Sequence, residues 1–146
     1  MGVFDSFAIS ASGLTAEKLR LDITANNIAN MHSAGRPNDP ANPPYSRKIP
    51  IFAQMLEQAG ENGALRLRYK GAGVHVIRVV TDQNEPRLAY EPGHPLADEN
   101  GYVAYPNINI VNEMVNAISA TRAYEANVTA LNAAKDIALK ALEIGR

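Results

Sequence analysis

The sequence predicts an α+β chain, with long helices at its two ends pairing as an antiparallel coiled-coil hairpin around a small antiparallel β domain. Apolar residues recur at four-and-three spacing from Ile110 to Ile144, a stretch without Gly or Pro. The same spacing runs through the amino-terminal segment, and the residues between change to alternating patterns broken by Gly, Pro, Asn and Asp. These observations divide the chain into a helix over 1–31, a Pro-rich polar loop over 32–48, a β domain over 49–108 and a second helix over 109–146.

In the first helix, Phe4, Phe7, Ala11, Leu14, Lys18, Leu21, Ala25 and Ile28 keep the heptad spacing. Gly13 is its one interior weak point, at about 1 kcal/mol relative to Ala. A second apolar line, Ile9, Ala16, Leu19 and Ile23, lies roughly 130° round the helix. The following loop carries Pro37, Pro40, Pro43 and Pro44 among Gly, Asn and Asp, a composition that forms neither helix nor central strand.

Strands follow. Leu65 to Lys70 alternates apolar and basic residues, and Gly71-Ala72-Gly73 is expected to turn the chain into a strand over Val74 to Val80. Asp82 to Pro86 forms the next turn, Arg87 to Tyr90 a strand, and Pro92-Gly93-His94-Pro95 a breaker. Asp98 to Gly101 precedes a last strand, Tyr102 to Tyr105, and Asn109 is placed to cap the final helix.

In that helix Ile110, Met114, Ala117, Thr121, Tyr124, Val128, Leu131, Lys135, Ala138 and Leu142 form the expected seam. Its length, roughly 50 Å, overshoots the roughly 40 Å of a compact globule of this size. The seam that closes the hairpin within one chain is expected to use Phe7, Leu14, Leu21 and Ile28 against Met114, Tyr124, Val128, Leu131 and Leu142. A further line includes Ala126, Ala130, Ala133, Ile137 and Ile144, and a helix apolar on two faces is buried on two sides. The second faces, with Ile9, Leu19 and Ile23 on the first helix, are expected to meet neighbouring copies rather than the β domain. Lys18 and Lys135 fall at equivalent seam positions, where they either fix register or run their stems out to water.

Composition narrows the function classes. Fourteen Lys plus Arg against fifteen Asp plus Glu give a net charge of -1, which offers no field for nucleic acid or anionic membrane. The basic residues Arg66, Arg68, Lys70 and Arg78 read as a solvated sheet face. There is no cysteine, hence neither disulfide nor thiolate metal site. Met1 to Ser6 fits the N-myristoylation pattern but serves better as a helix start, no cleavable signal is visible, and no apolar run approaches the roughly 20 residues of a membrane span. His32, His75 and His94 share no metal-ligand spacing, Asp98 to Gly101 lacks the calcium-loop pattern, and Gly71-x-Gly73 opens no helix as a dinucleotide loop would. Neither a catalytic constellation nor a cofactor motif is found, and no enzyme is expected.

Three separated segments resemble the flagellar rod and hook family. Ser10-Ala-Ser-Gly-Leu-Thr-Ala-Glu17 and Ile23-Thr-Ala-Asn-Asn-Ile-Ala-Asn30 resemble its amino-terminal signature, and Asn112-Glu-Met-Val-Asn116 with Arg122-Ala-Tyr-Glu-Ala-Asn127 its carboxy-terminal helix. Glu91 to Asn107 is similar to the proximal-rod branch. The shared residues include Asn26, Asn27, Asn30, Arg122, Tyr124 and Asn127. Residues 31–48 depart from the family's usual Thr-Pro-Gly-Tyr loop and keep only Pro44-Tyr45-x-Arg47.

The resemblance implies a structural subunit of the basal-body rod, exported unfolded through the flagellar type III apparatus without a cleaved signal. It implies stacking of the terminal helices into a periplasm-spanning drive shaft that carries torque. The implied partners are rod proteins of the FlgB, FlgF and FlgG types and the membrane-ring junction protein FliE. The terminal helices are expected to order on assembly. A soluble coiled-coil adaptor or export chaperone, using the same helices to hold another protein, is the alternative.

Overall fold

The computed structural model describes residues 3–57 and 70–144. Helix α1 spans Val3–Ala29, strands β1 Lys48–Glu57, β2 Lys70–Thr81, β3 Arg87–Tyr90 and β4 Tyr102–Tyr105, and helix α2 spans Ile110–Ile144. Asn109 starts α2 as expected: its Oδ1 accepts from the amides of Val111 and Asn112 at 2.9 and 3.3 Å. The two helices pack antiparallel, and α1 is the only named element against which α2 packs.

The β region consists of two separate antiparallel hairpins, β1–β2 and β3–β4. The first corrects the expected turn at Gly71-Ala72-Gly73, because β2 runs straight through those residues and pairs with β1, a strand the alternation had not singled out. The expected strand over Leu65 to Tyr69, with Arg66 and Arg68, lies outside the described residues, as do Met1 and Gly2 of the myristoylation pattern. A register shift opposite Gln54 to Leu56 leaves one extra residue in β2 beside Gly73, whose φ is +114°. A Cβ at Gly73 would lie 2.1 Å from Ser12 Oγ. The glycine therefore admits β2 to the surface of α1, where the amide of Val74 donates to Ser12 Oγ at 3.0 Å and that hydroxyl donates to the Ile9 carbonyl at 2.7 Å.

The Pro-rich loop is woven into the second hairpin. Gly35 bridges Ala104 of β4, with N–O distances of 2.8 and 2.9 Å, so the loop flanks β4 on the side away from β3. Between β3 and β4, Asp98 Oδ1 accepts from the amides of Asn100 and Tyr102, an ordinary Asx turn. Among the described residues the buried apolar side chains are Ala16, Ile23, Val103, Ala104 and Ala120. A core of small residues buries little apolar area for a chain of this length.

Candidate assembly interface and the polar node that orients it

A buried polar node lies where α1 ends and α2 begins. Asn27 and Glu113 are each 1% exposed. Glu113 Oε1 accepts from Arg47 Nε at 2.8 Å and pairs with Nη2 at 2.7 Å, while Oε2 accepts from Asn27 Nδ2 at 3.1 Å. A buried carboxylate is tolerated when it is paired and hydrogen-bonded in this way. Asn27 also acts as a strand partner for Lys48: its Nδ2 donates to the Lys48 carbonyl at 2.9 Å, and its Oδ1 accepts from the Lys48 amide at 2.9 Å. The Tyr45 hydroxyl donates to the same Oδ1 at 3.0 Å. One side chain thereby anchors the start of β1 and the end of the Pro-rich loop to α1.

The node reaches β2 through Arg47, whose Nη1 lies 3.6 Å from Asp82 Oδ2. The amide of Asn84 and, less strongly, the Arg47 cation hold the Asp82 carboxyl below its ordinary 3.8 against an opposing effect of burial. Burial and then the Glu113 charge raise the Tyr45 phenol above its ordinary 10.0. Beside the node a polar cleft of about 300 Å³ is lined by Arg20, Thr24, Lys48, Phe52 and Asn116 among others.

The node fixes the register of the helix pair, and that register corrects the expected seam. Asn27 meets Glu113, Arg20 Nη2 donates to Asn116 Oδ1 at 3.4 Å, and a Cβ on Gly13 would lie 2.8 Å from Asn127 Oδ1. The line of α2 facing α1 thus runs through Glu113, the fully buried Ala120 and Asn127, with the half-buried Ala117, Leu131, Ala134 and Ala138 beside it. Met114 and Leu142, expected in the seam, are 50% and 72% exposed, and Tyr124 sits exposed at its margin. Lys18 and Lys135 are exposed and lie outside the seam.

Phe7, Leu14, Leu21 and Ile28 are half-buried, as is Val128. On α1 they lie one residue, roughly 100°, round from Gly13, Arg20 and Asn27. The rotation has a physical cause. Closest approach of two helices selects Gly, Ala and side chains that bond across, so the largest apolar residues flank the contact line.

The second faces divide differently from expectation. On α1, Ile23 is 7% exposed and Ala16 is buried, and the β1–β2 hairpin packs on the helix there with Met55 opposite Leu19 across an apolar cleft. Ile9 is half-buried beside Gly73. The β domain, not a neighbour, covers much of this face. On α2, Ala126, Ala130, Ala133, Ile137 and Ile144 are exposed, and no other element covers them.

The remaining motif residues scatter. Asn26 and Asn30 bond to helix carbonyls at 3.1 and 2.9 Å, Asn127 Nδ2 donates to the Ala123 carbonyl at 2.9 Å, and Arg122 is exposed. His32 and His75 are exposed, and His94 Nδ1 accepts from the Leu96 amide at 3.1 Å. Among the described residues no group of three His, Cys, Asp or Glu side chains could hold a metal, and no helix is long and apolar enough to cross a membrane. Sequence reasoning did not single out Glu113, Arg47 or Tyr45 as a site. The available signal was that Pro44-Tyr45-x-Arg47 and the acid of Asn112-Glu113 belong to segments that carry the family resemblance.

Comparison with known proteins agrees with this architecture at both ends. Residues 7–35 match the family model described as Flagella basal body rod protein, and residues 99–144 match Flagellar basal body rod FlgEFG protein C-terminal. Proteins named Flagellar basal-body rod protein FlgC are similar over the whole length. Those from Escherichia coli O157:H7 and Bacillus subtilis are 40% and 39% identical over 100% of both chains. That from Borreliella burgdorferi is 40% identical over 99% of this chain and 98% of its own. The chain belongs to the FlgC family of flagellar basal-body rod proteins. As a FlgC-family member it is a structural subunit of that rod. Both matched regions contribute to the polar node, Asn27 from the first and Glu113 from the second, so the node joins the two conserved-length ends of the FlgC fold.

Proposed function

We propose that this subunit polymerises through the uncovered face of α2 into the periplasmic section of the rod, where the packed helices carry torque and the β region forms an outer layer. The observation that carries this reading is α2 itself: a 35-residue helix with one partner element and a long exposed apolar surface. Ala126, Ala130 and Ala133 lie on the flank of α2, roughly 110° from its contact line with α1, where small side chains let a neighbouring helix approach closely. The chain acts as a scaffold and not as an enzyme. Its neighbours are rod subunits of the FlgB, FlgF and FlgG types and the junction protein FliE, reached after export through the flagellar type III apparatus without a cleaved signal.

The reading is tested by complementing a strain that lacks this subunit with Ala130→Glu and Ile137→Glu variants, with Glu85→Gln as control. Both α2 positions are exposed, so purified variants should keep the parent's far-UV circular dichroism and thermal midpoint. Swimming and rod formation should be lost with the α2 variants and kept with the control. Full motility of both α2 variants would refute the use of this face.

A further inference from the structure

Helix α2 outruns α1. Extending the register set by Gly13 against Asn127 and Asn27 against Glu113 places Val3, the first residue of α1, opposite Ile137. Residues 138–144 therefore project beyond α1 by about 10 Å, at 1.5 Å per residue. Ala138, Leu139, Ala141, Leu142 and Ile144 make this overhang apolar round most of its circumference, leaving Lys140 and Glu143 on one narrow side. Ile144 is 86% exposed. A helical segment of that character needs cover on more than one side.

The opposite end of the same helix carries a second uncovered patch. Val111, Met114, Val115 and Ile118 follow i, i+3, i+4, i+7 spacing, each at least half exposed. The row is also about 10 Å long and points roughly 165° away from the line of contact with α1. Along the same line of α2 it gives way to the exposed residues Arg122, Glu125, Thr129 and Asp136. The two apolar patches are thus equal in length, lie at opposite ends of one straight element, and are separated by polar surface.

We propose that the overhang of one copy seats on the root row of a second copy, so that Leu142 of one meets Met114 of the next in a head-to-tail axial contact. This rests on the rod-subunit reading and names the axial partner surface within it. The contact joins different patches at opposite ends, which makes it heterologous and non-closing, the geometry that extends a filament. Pairing of two root rows with each other would instead be isologous and stop at a dimer. The overhang supplies what the root row lacks, because it presents bulky apolar side chains where α1 no longer covers α2.

The chain has no cysteine, so introduced thiols report contacts without background. Purified full-length Met114→Cys and Leu142→Cys chains are mixed under mild oxidation and compared with each alone, and a chain carrying both substitutions is oxidised separately. Mixed oxidation should give heterodimers in at least about tenfold excess over homodimers, one decade of association constant. The double variant should form a ladder of trimers and larger species. Homodimers of Met114→Cys alone in equal yield would overturn the proposal in favour of root-to-root dimers. Absence of any cross-link would also overturn it. If Ala130→Cys chains still cross-link or Ala130→Glu still abolishes motility, the axial contact falls while the rod-subunit reading stands.

Discussion

Replacing Arg47 by Met tests whether the polar node determines how the helices pair. The Glu113 carboxylate is 1% exposed, and of its three contacts two come from the Arg47 guanidinium at 2.7 and 2.8 Å. Arg47→Met leaves a buried anion with Asn27 Nδ2 at 3.1 Å as its remaining partner. Breaking a buried pair from one side costs about 3–5 kcal/mol, and the 25% exposure of the Arg47 side chain puts this case near the lower end, about 3 kcal/mol. That is a large share of the roughly 5–15 kcal/mol that stabilises a typical domain. Urea unfolding followed by far-UV circular dichroism should show a lower midpoint with little change in slope. Adding Glu113→Gln removes the charge that Arg47 neutralised, so the double variant should be no less stable than Arg47→Met alone. Losses that simply add, or a single-variant loss under about 1 kcal/mol, would refute the buried-charge reasoning.

Three further outcomes follow from the geometry. Gly73→Ala should destabilise the subunit by about 2 kcal/mol or more in the same urea assay, since φ is +114° and the new Cβ would meet Ser12. Gly13→Ala should yield its helix-propensity gain of about 1 kcal/mol only beside Asn127→Ala, because Asn127 occupies the space; equal effects in both backgrounds would contradict the close approach. Tyr45 has a folded-state pKa raised above 10.0, so its contribution is fully present below 10.0 and is lost as pH rises through the higher folded value. Urea midpoints of wild type should therefore fall more steeply across that alkaline range than those of Tyr45→Phe, and parallel declines would contradict it.

The large features were legible because they rest on periodicity that a chain cannot hide. Both terminal helices, the Asn109 cap and the β3 and β4 strands follow from spacing and turn residues. The helix–helix contact line was not legible from apolar periodicity alone. It runs through Gly13, Arg20, Asn27, Glu113, Ala120 and Asn127, and a search for large apolar residues passes over all of them. Gly73 misled for a related reason. Glycine marks a turn and a close backbone approach equally well, and only the neighbouring Ser12 tells them apart. Strand β1 was missed because Lys48 to Glu57 includes Pro50 and does not alternate cleanly, whereas Asn27 supplies the partner that starts it. The node itself joins residues far apart in sequence, so its parts were visible as family motifs but not as one site.

The central claim, that the uncovered face of α2 is the surface the rod buries, is tested most directly by thiol accessibility in isolated basal bodies. Ala130→Cys, and Glu85→Cys as an exposed turn control, are introduced singly into the cysteine-free chain and labelled with a maleimide as purified monomers and in intact basal bodies. The account predicts that Ala130→Cys reacts in the monomer and is blocked in the basal body, while Glu85→Cys reacts in both. Equal labelling of Ala130→Cys in the two states would contradict it.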